Sequence, residues 1–416
     1  MSKTNLYAFG SNGNGQLGVG NKDDVLFPSP CSFSGHTNPF IDSPQMITGG
    51  GNHSAVITNK GELWMSGLNT DRQCGLPSNI SNLTAFEKVV LNEDKNTNTQ
   101  SISAIKSVAC GWTHTIISTE RGDVYAFGKG SFGELGCGPS NLALNGKILR
   151  VEGLANVCKV ACGLRHSVAL TTNGVCFGWG SNRYGQLGTI INNEYNEKLV
   201  GLSSKSTKNI QYFSPVRIAI DKESSFFIAD IACGRNHTVV LSAAGDIYTF
   251  GNNKYGQLGY ASPHDITHAE QPRKVSVFPG RIVEISCGWS ATIARNDDGQ
   301  VIIWGRNDHG QLGIIQRIES EDQGFIIQPV PLCYIPKLVV FPDDGHRHVI
   351  AAVTCGSEHS LAITTTGQCL TWGWNEHGSC GSGNTVNVLS PKFVNGDGII
   401  SKIGAGCGTS WIWISG

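Results

Sequence analysis

Apolar runs of roughly four to six residues, each closed by a glycine or a polar turn, follow one another along most of the chain, and no helical period is sustained anywhere. Residues 105–110 (IKSVAC), 114–118 (HTIIS) and 123–128 (DVYAFG) predict three successive strands, with a weaker outer strand after a long turn. Between the second and third strands of such units come TNKG (58–61), TERG (119–122), TTNG (171–174), SAAG (242–245) and TTTG (364–367), all hairpin signals. The unit is therefore four short antiparallel strands.

That unit repeats. One motif family runs YAFGSNGNGQLG (7–18), LWMSGLNTDRQCG (63–75), YAFGKGSFGELG (125–136), FGWGSNRYGQLG (177–188), YTFGNNKYGQLG (248–259), IIWGRNDHGQLG (302–313) and LTWGWNEHGSCG (370–381). A second, interleaved with it, runs GGGNHSAVIT (49–58), ACGWTHTIIS (109–118), ACGLRHSVAL (161–170), ACGRNHTVVL (232–241), SCGWSATIAR (286–295), TCGSEHSLAI (354–363) and AGCGTSWIWI (405–414). Seven copies at a spacing of roughly 50–70 residues predict an all-β, seven-bladed β-propeller over 1–416, a single domain. The chain opens on a third strand and ends on a first and second, so the two ends are expected to share the seventh blade and leave no open edge. Segments 92–101, 189–213 and 314–327 break the pattern and are expected to be polar surface loops.

The register of the repeats disposes of the tempting chemistry. WGWNEHGSCG crowds Glu376, His377 and Cys380 together, yet Cys380 occupies the position of Leu258 and Leu312, which makes it a packing residue. His53, His114, His166, His237 and His359 share one repeat position, with Ala291 and Thr409 in the other two blades. They are expected to be buried hydrogen-bonding elements and not catalytic bases. Gly13, Gly15 and Gly18 match the spacing of a dinucleotide fingerprint, but the residues that follow cannot open the helix such a site needs. No catalytic residue, metal site or cofactor is expected.

Strand direction sorts what remains. The Cys-Gly-x-x-His loops and the Gly-x-Asn-x-x-Gly-Gln-Leu-Gly loops fall on one face of the ring, and the second-to-third turns on the other. The first face should collect Trp112, Arg165, Arg235, Trp289, Glu358, Trp374, Glu376 and His377, a set rich in the residue types that dominate binding hot spots. These eight are the candidate partner-binding residues.

Composition narrows the partner. A formal charge of -1 gives no electrostatic footprint for nucleic acid or an anionic membrane. No secretory leader or membrane span is visible at the start of the sequence, so a cytoplasmic setting, with the nucleus also open, is expected. There the fourteen cysteines would be reduced thiols. A monomer with a protein partner is the expectation.

The paired motifs ACGxxHSxALT and WGxNxxGQLG resemble the repeat of the regulator of chromosome condensation family, across all seven units. Within it, residues 47–69, 20–28 and the WGWNEHGSCGSG segment are similar to the branch of secretion-regulating guanine nucleotide exchange factors. They are also similar to a fungal branch that partners a small zinc protein of diphthamide synthesis and supports Elongator-dependent tRNA modification. The resemblance implies a propeller face that grips a small GTPase and stabilises its nucleotide-free form, without covalent chemistry. It also implies acidic residues where this chain has Trp112 and Arg165, a departure that argues against exchange on Ran. Two functions follow: an exchange factor, or a non-catalytic adaptor for the small zinc protein.

Overall fold

The computed structural model describes residues 5–36, 43–91, 103–139, 147–189, 210–220, 226–260, 266–276, 279–320, 324–345, 347–396 and 398–415. Seven four-stranded antiparallel sheets are formed by these residues. The first blade is built from Met46–Gly49, His53–Ile57, Leu63–Leu68 and Asn82–Lys88. Blades two to six follow in order over 105–150, 157–217, 228–274, 282–338 and 350–393.

The seventh blade joins the chain ends in the order Val25–Pro30, Leu6–Gly10, Thr409–Ser415, Ile399–Ala405. Leu6 faces Trp413 and Ala8 faces Trp411 in that register. The ring is closed by hydrogen bonds between its ends, as the half-blade patterns predict.

Packing explains why the second strands read as continuous apolar runs and do not alternate. His114–Thr119, His166–Thr171 and His237–Ser242 are buried at every position, because both faces of each are covered by neighbouring blades. The core is correspondingly divided into inter-blade wedges. Ala55, Ile57 and Met65 of blade one meet Val108, Ile117 and Phe127 of blade two. Phe9 and Ile412 of blade seven meet Leu361 and Ile363 of blade six, and Leu6 and Trp411 meet Val56 and Trp64 of blade one. Clusters of the same kind fill the remaining interfaces.

One expectation is corrected. Residues 314–327 are not an irregular loop: Ile315–Ser320 and Gly324–Pro329 pair as a two-stranded hairpin inserted between the third and fourth strands of blade five. Its Ile-Gln-Arg-Ile and Phe-Ile-Ile-Gln sequences mix apolar and polar positions without strict alternation, and Ile315, Ile318, Ile326 and Ile327 stay exposed where a blade strand would bury them. The segment 92–101 and most of 189–213 lie outside the described residues.

Candidate protein-interaction face

Two side chains hold the shape of most third-to-fourth loops, although blade two has Gly130 at the Asn position and blade six has Ser379 at the Gln position. The Asn of Gly-x-Asn accepts the backbone N–H five residues on: Asn182 from Leu187 at 2.9 Å, Asn253 from Leu258 at 3.0 Å, Asn307 from Leu312 at 2.7 Å and Asn375 from Cys380 at 2.8 Å. The Gln carboxamide accepts from the residue two before it, as Gln186 does from Tyr184 and Gln311 from His309, both at 2.9 Å. With the polar framework and the Leu or Cys position turned inward, variable positions such as Arg183, Lys254 and Glu376 face outward. Cys380 is buried among Trp372 and Val388, the packing role that the repeat register predicts.

The histidines staple one blade to the next. Nε2 of His53, His114, His166, His237 and His359 lies 2.8–3.1 Å from the Thr115, Ser167, Thr238, Thr292 and Ser410 hydroxyls of the following blades. Each hydroxyl donates its single proton to a loop carbonyl of Gln73, Glu134, Gln186, Gln257 or Ser379, so it can only accept from the ring. The proton therefore sits on Nε2. Burial holds all five rings neutral, their pKa values pushed down to about 3 or 4. A Cβ on Gly111 would collide with the ring of His114, which is why Cys-Gly precedes the histidine loop.

First-strand ends converge on the axis. Cys110, Cys162, Cys233, Cys287, Cys355 and Cys407 with their glycines line an axial cavity that also touches Trp112, Arg235 and Trp289. Backbone hydrogen bonds knit its mouth: Leu164 N–H to Arg235 O, Arg235 N–H to Trp289 O and Trp289 N–H to Ser357 O, at 2.8–3.1 Å. Trp112 of blade two and Trp289 of blade five meet across this mouth with ring centroids 5.7 Å apart. The Arg235 guanidinium lies 5.0 Å from the Trp289 ring centre.

All eight candidate residues lie on the loop face, seven of them in two groups. Around the mouth stand Trp112 (39% exposed), Trp289 and the exposed Arg165 and Arg235, with Arg165 stacked 3.8 Å over Phe132 of the neighbouring blade. Toward blade seven, Trp374 makes an edge contact with His377, and His377 Nδ1 lies 2.6 Å from Asp24. Glu376 is exposed beside them.

Glu358 differs from the rest. It is only 8% exposed, and its carboxylate is taken by Arg306 at 3.2 Å and Gln311 at 2.6 Å. Burial pushes its pKa up to about 7, against the pull of Arg306.

Arg306, Asp24, Phe132 and Tyr255 were missed in reading the sequence. Arg306 holds the repeat position of Trp374 and Lys129, whose variability in an otherwise fixed motif is a readable signal. Asp24 had none, because it reaches His377 only through the contact of blades seven and six.

These features define a closed seven-bladed propeller that gathers aromatic and guanidinium side chains on one loop face. The chain belongs to the RCC1-like domain family, whose profile matches residues 5–412. It is 34% identical over 420 residues to the secretion-regulating guanine nucleotide exchange factor of Bos taurus, covering 97% of this chain and 81% of that protein. It is 30% identical over 419 residues to the ultraviolet-B receptor UVR8 of Arabidopsis thaliana, covering 97% and 83%. Among solved structures, Prp20p from Saccharomyces cerevisiae, described with its binding to Gsp1p and histones, superposes with a TM-score of 0.73 at 20% identity, over 99% of this chain and 91% of that one.

Proposed function

We propose that the chain is a guanine nucleotide exchange factor-like propeller that binds a small GTPase through its loop face, acting as a monomer in the cytoplasm or nucleus. The observation that carries this reading is the gathering of Trp112, Arg165, Arg235, Trp289 and Trp374 on a rim cross-linked by backbone hydrogen bonds. On the reverse face the turns present small or polar groups such as Lys60, Glu120 and Asn173. The full-length likeness to a protein named as an exchange factor supports the same reading. Exchange of this kind asks for no nucleophile or metal. A pre-organised rim that binds the nucleotide-free GTPase more tightly than the loaded form lowers the barrier to nucleotide release.

The experiment is release of fluorescent GDP from a panel of purified small GTPases, with and without the chain. Acceleration for one member, lost in Trp112→Ala, is expected. Absence of acceleration across the panel, with a small zinc protein recovered from cytosol by the same face, would replace this reading with the adaptor role.

A further inference from the structure

The cations of the loop face are not spread evenly around the ring. Lys129, Arg165, Arg183, Arg235 and Lys254 occupy consecutive blades two to four, all five are exposed, and none makes an ion pair among the described residues. Elsewhere on the blades, cations such as Lys88, Arg150, Lys274 and Arg295 are matched with carboxylates. Three carboxyls lie near the arc, and one of them, Glu358, is buried near Arg235 with its oxygens taken by Arg306 and Gln311. Glu134 is buried and accepts the Phe132 N–H at 2.6 Å, and burial pushes its pKa up to about 7, so it opposes the arc only weakly. Glu270 stands at the outer rim, where it faces His268 at 3.8 Å.

The aromatic partners decide what the arc can read. Arg165 lies 3.8 Å over Phe132, Arg183 is 5.4 Å from Tyr184, Arg235 is 5.0 Å from Trp289, and Lys254 is 5.2 Å from Tyr255. At 3.8 Å Arg165 is stacked on its ring, and the other cations lie within cation–π range, contacts that reduce the rotamer entropy lost on binding while a stacked guanidinium can still pair through its N–H edges. The same stacking covers ring faces that nucleobases would need. Beyond the arc, Asp308 is paired with Arg306, Asp24 lies against His377 and Glu376 is exposed, an arrangement that does not extend the arc for a continuing phosphate strand.

We propose that the arc of Lys129, Arg165, Arg183, Arg235 and Lys254 is a docking strip for a carboxylate-rich segment of a protein partner. The strip rests on the proposed use of this face for protein binding, and it assigns the cationic half of that face its ligand chemistry. Carboxylates lie along guanidinium edges that the aromatic rings hold in place.

Titration of the full chain with a fluorescein-labelled glutamate-rich peptide, followed by anisotropy, tests it, with a single-stranded oligouridine of equal charge as comparison. Wild type should bind the peptide in a salt-sensitive manner, and the double variant Arg165→Gln/Arg235→Gln should bind about tenfold more weakly or worse. The charge-retaining Arg165→Lys/Arg235→Lys should fall between them, because an ammonium is not held flat on a ring, and Lys60→Gln on the reverse face should match wild type. Equal peptide binding by wild type and the Gln variant, or none by either, overturns the proposal. So does tighter binding of the oligouridine with the same arginine dependence. GDP release separates this from the exchange reading. Peptide binding with no responsive GTPase sinks exchange and leaves the strip, whereas release that survives the Gln variant without peptide binding sinks the strip alone.

Discussion

His166 of the third blade donates its Nε2 proton to the Thr238 hydroxyl of the fourth at 3.1 Å, and that hydroxyl donates back to the Gln186 carbonyl of the third at 2.7 Å. The same relay joins five of the seven blade interfaces. It makes the neutral imidazole a structural part of the ring.

Acid should therefore loosen the propeller in a defined window. A histidine whose pKa is depressed by folding contributes stability above its unfolded value near 6.5, and loses it as pH falls toward 3 or 4. Glu134 and Glu358 act in the opposite sense: their pKa values rise to about 7, so their contribution is full below about 4.5 and is lost as pH climbs through 7. Between pH 7.5 and 5.5 the five histidines therefore lose stability while the two carboxyls regain it, and with five groups against two the balance should fall on the side of loss. Urea midpoints across that range should fall with pH. A midpoint that is flat or rises on acidification would contradict the assigned protonation states.

Glu134→Gln isolates one of those terms. Gln occupies this position in five of the other loops, and its carboxamide keeps the acceptor that Phe132 N–H requires. The variant should melt a few degrees above wild type at pH 8, where the buried carboxylate is charged, with the difference shrinking by pH 5. Differential scanning calorimetry at both pH values decides it.

Removal of residues 399–416 should unfold the ring cooperatively. Leu6–Gly10 would lose its only partner on one side, and the core wedges around Trp411 and Ile412 would open on both flanking blades. An unchanged, single melting transition in the truncated chain would mean that closure contributes nothing.

The blade count, the closing half-blades and the polarity of the two faces were legible because each rests on a repeated local pattern. Asn375 or His237 can be placed by comparison with its counterparts in the other loops. What sequence hid were contacts made once only. The His377–Asp24 pair bridges blades six and seven, and the Arg306–Glu358 pair bridges five and six. The sequence places Glu358 at the loop position of the exposed Arg165, which suggests an outward hot spot. Its burial follows from Gln311 and Arg306 of the preceding blade, and no periodicity reports that.

Trp112→Ala should weaken partner binding by about 2 kcal/mol or more. It should also lower the melt slightly, since the ring is part-covered by Trp289 and packs over Gly51. Trp289→Ala should do more to stability, because it also removes the platform of Arg235. Thermal melts of the two variants compared side by side check the order.

The most direct test of the account is calorimetric titration of the responsive GTPase, or of the partner recovered from cytosol, into two sets of variants. One set carries alanine at Trp112, Arg165, Arg235 or Trp374 on the loop face, and the other carries alanine at Lys60, Glu120 or Asn173 in the reverse turns. Binding should fall by about tenfold or more in the first set and stay at the wild-type value in the second. Loss of binding confined to the reverse-turn set would contradict the assignment of the working face.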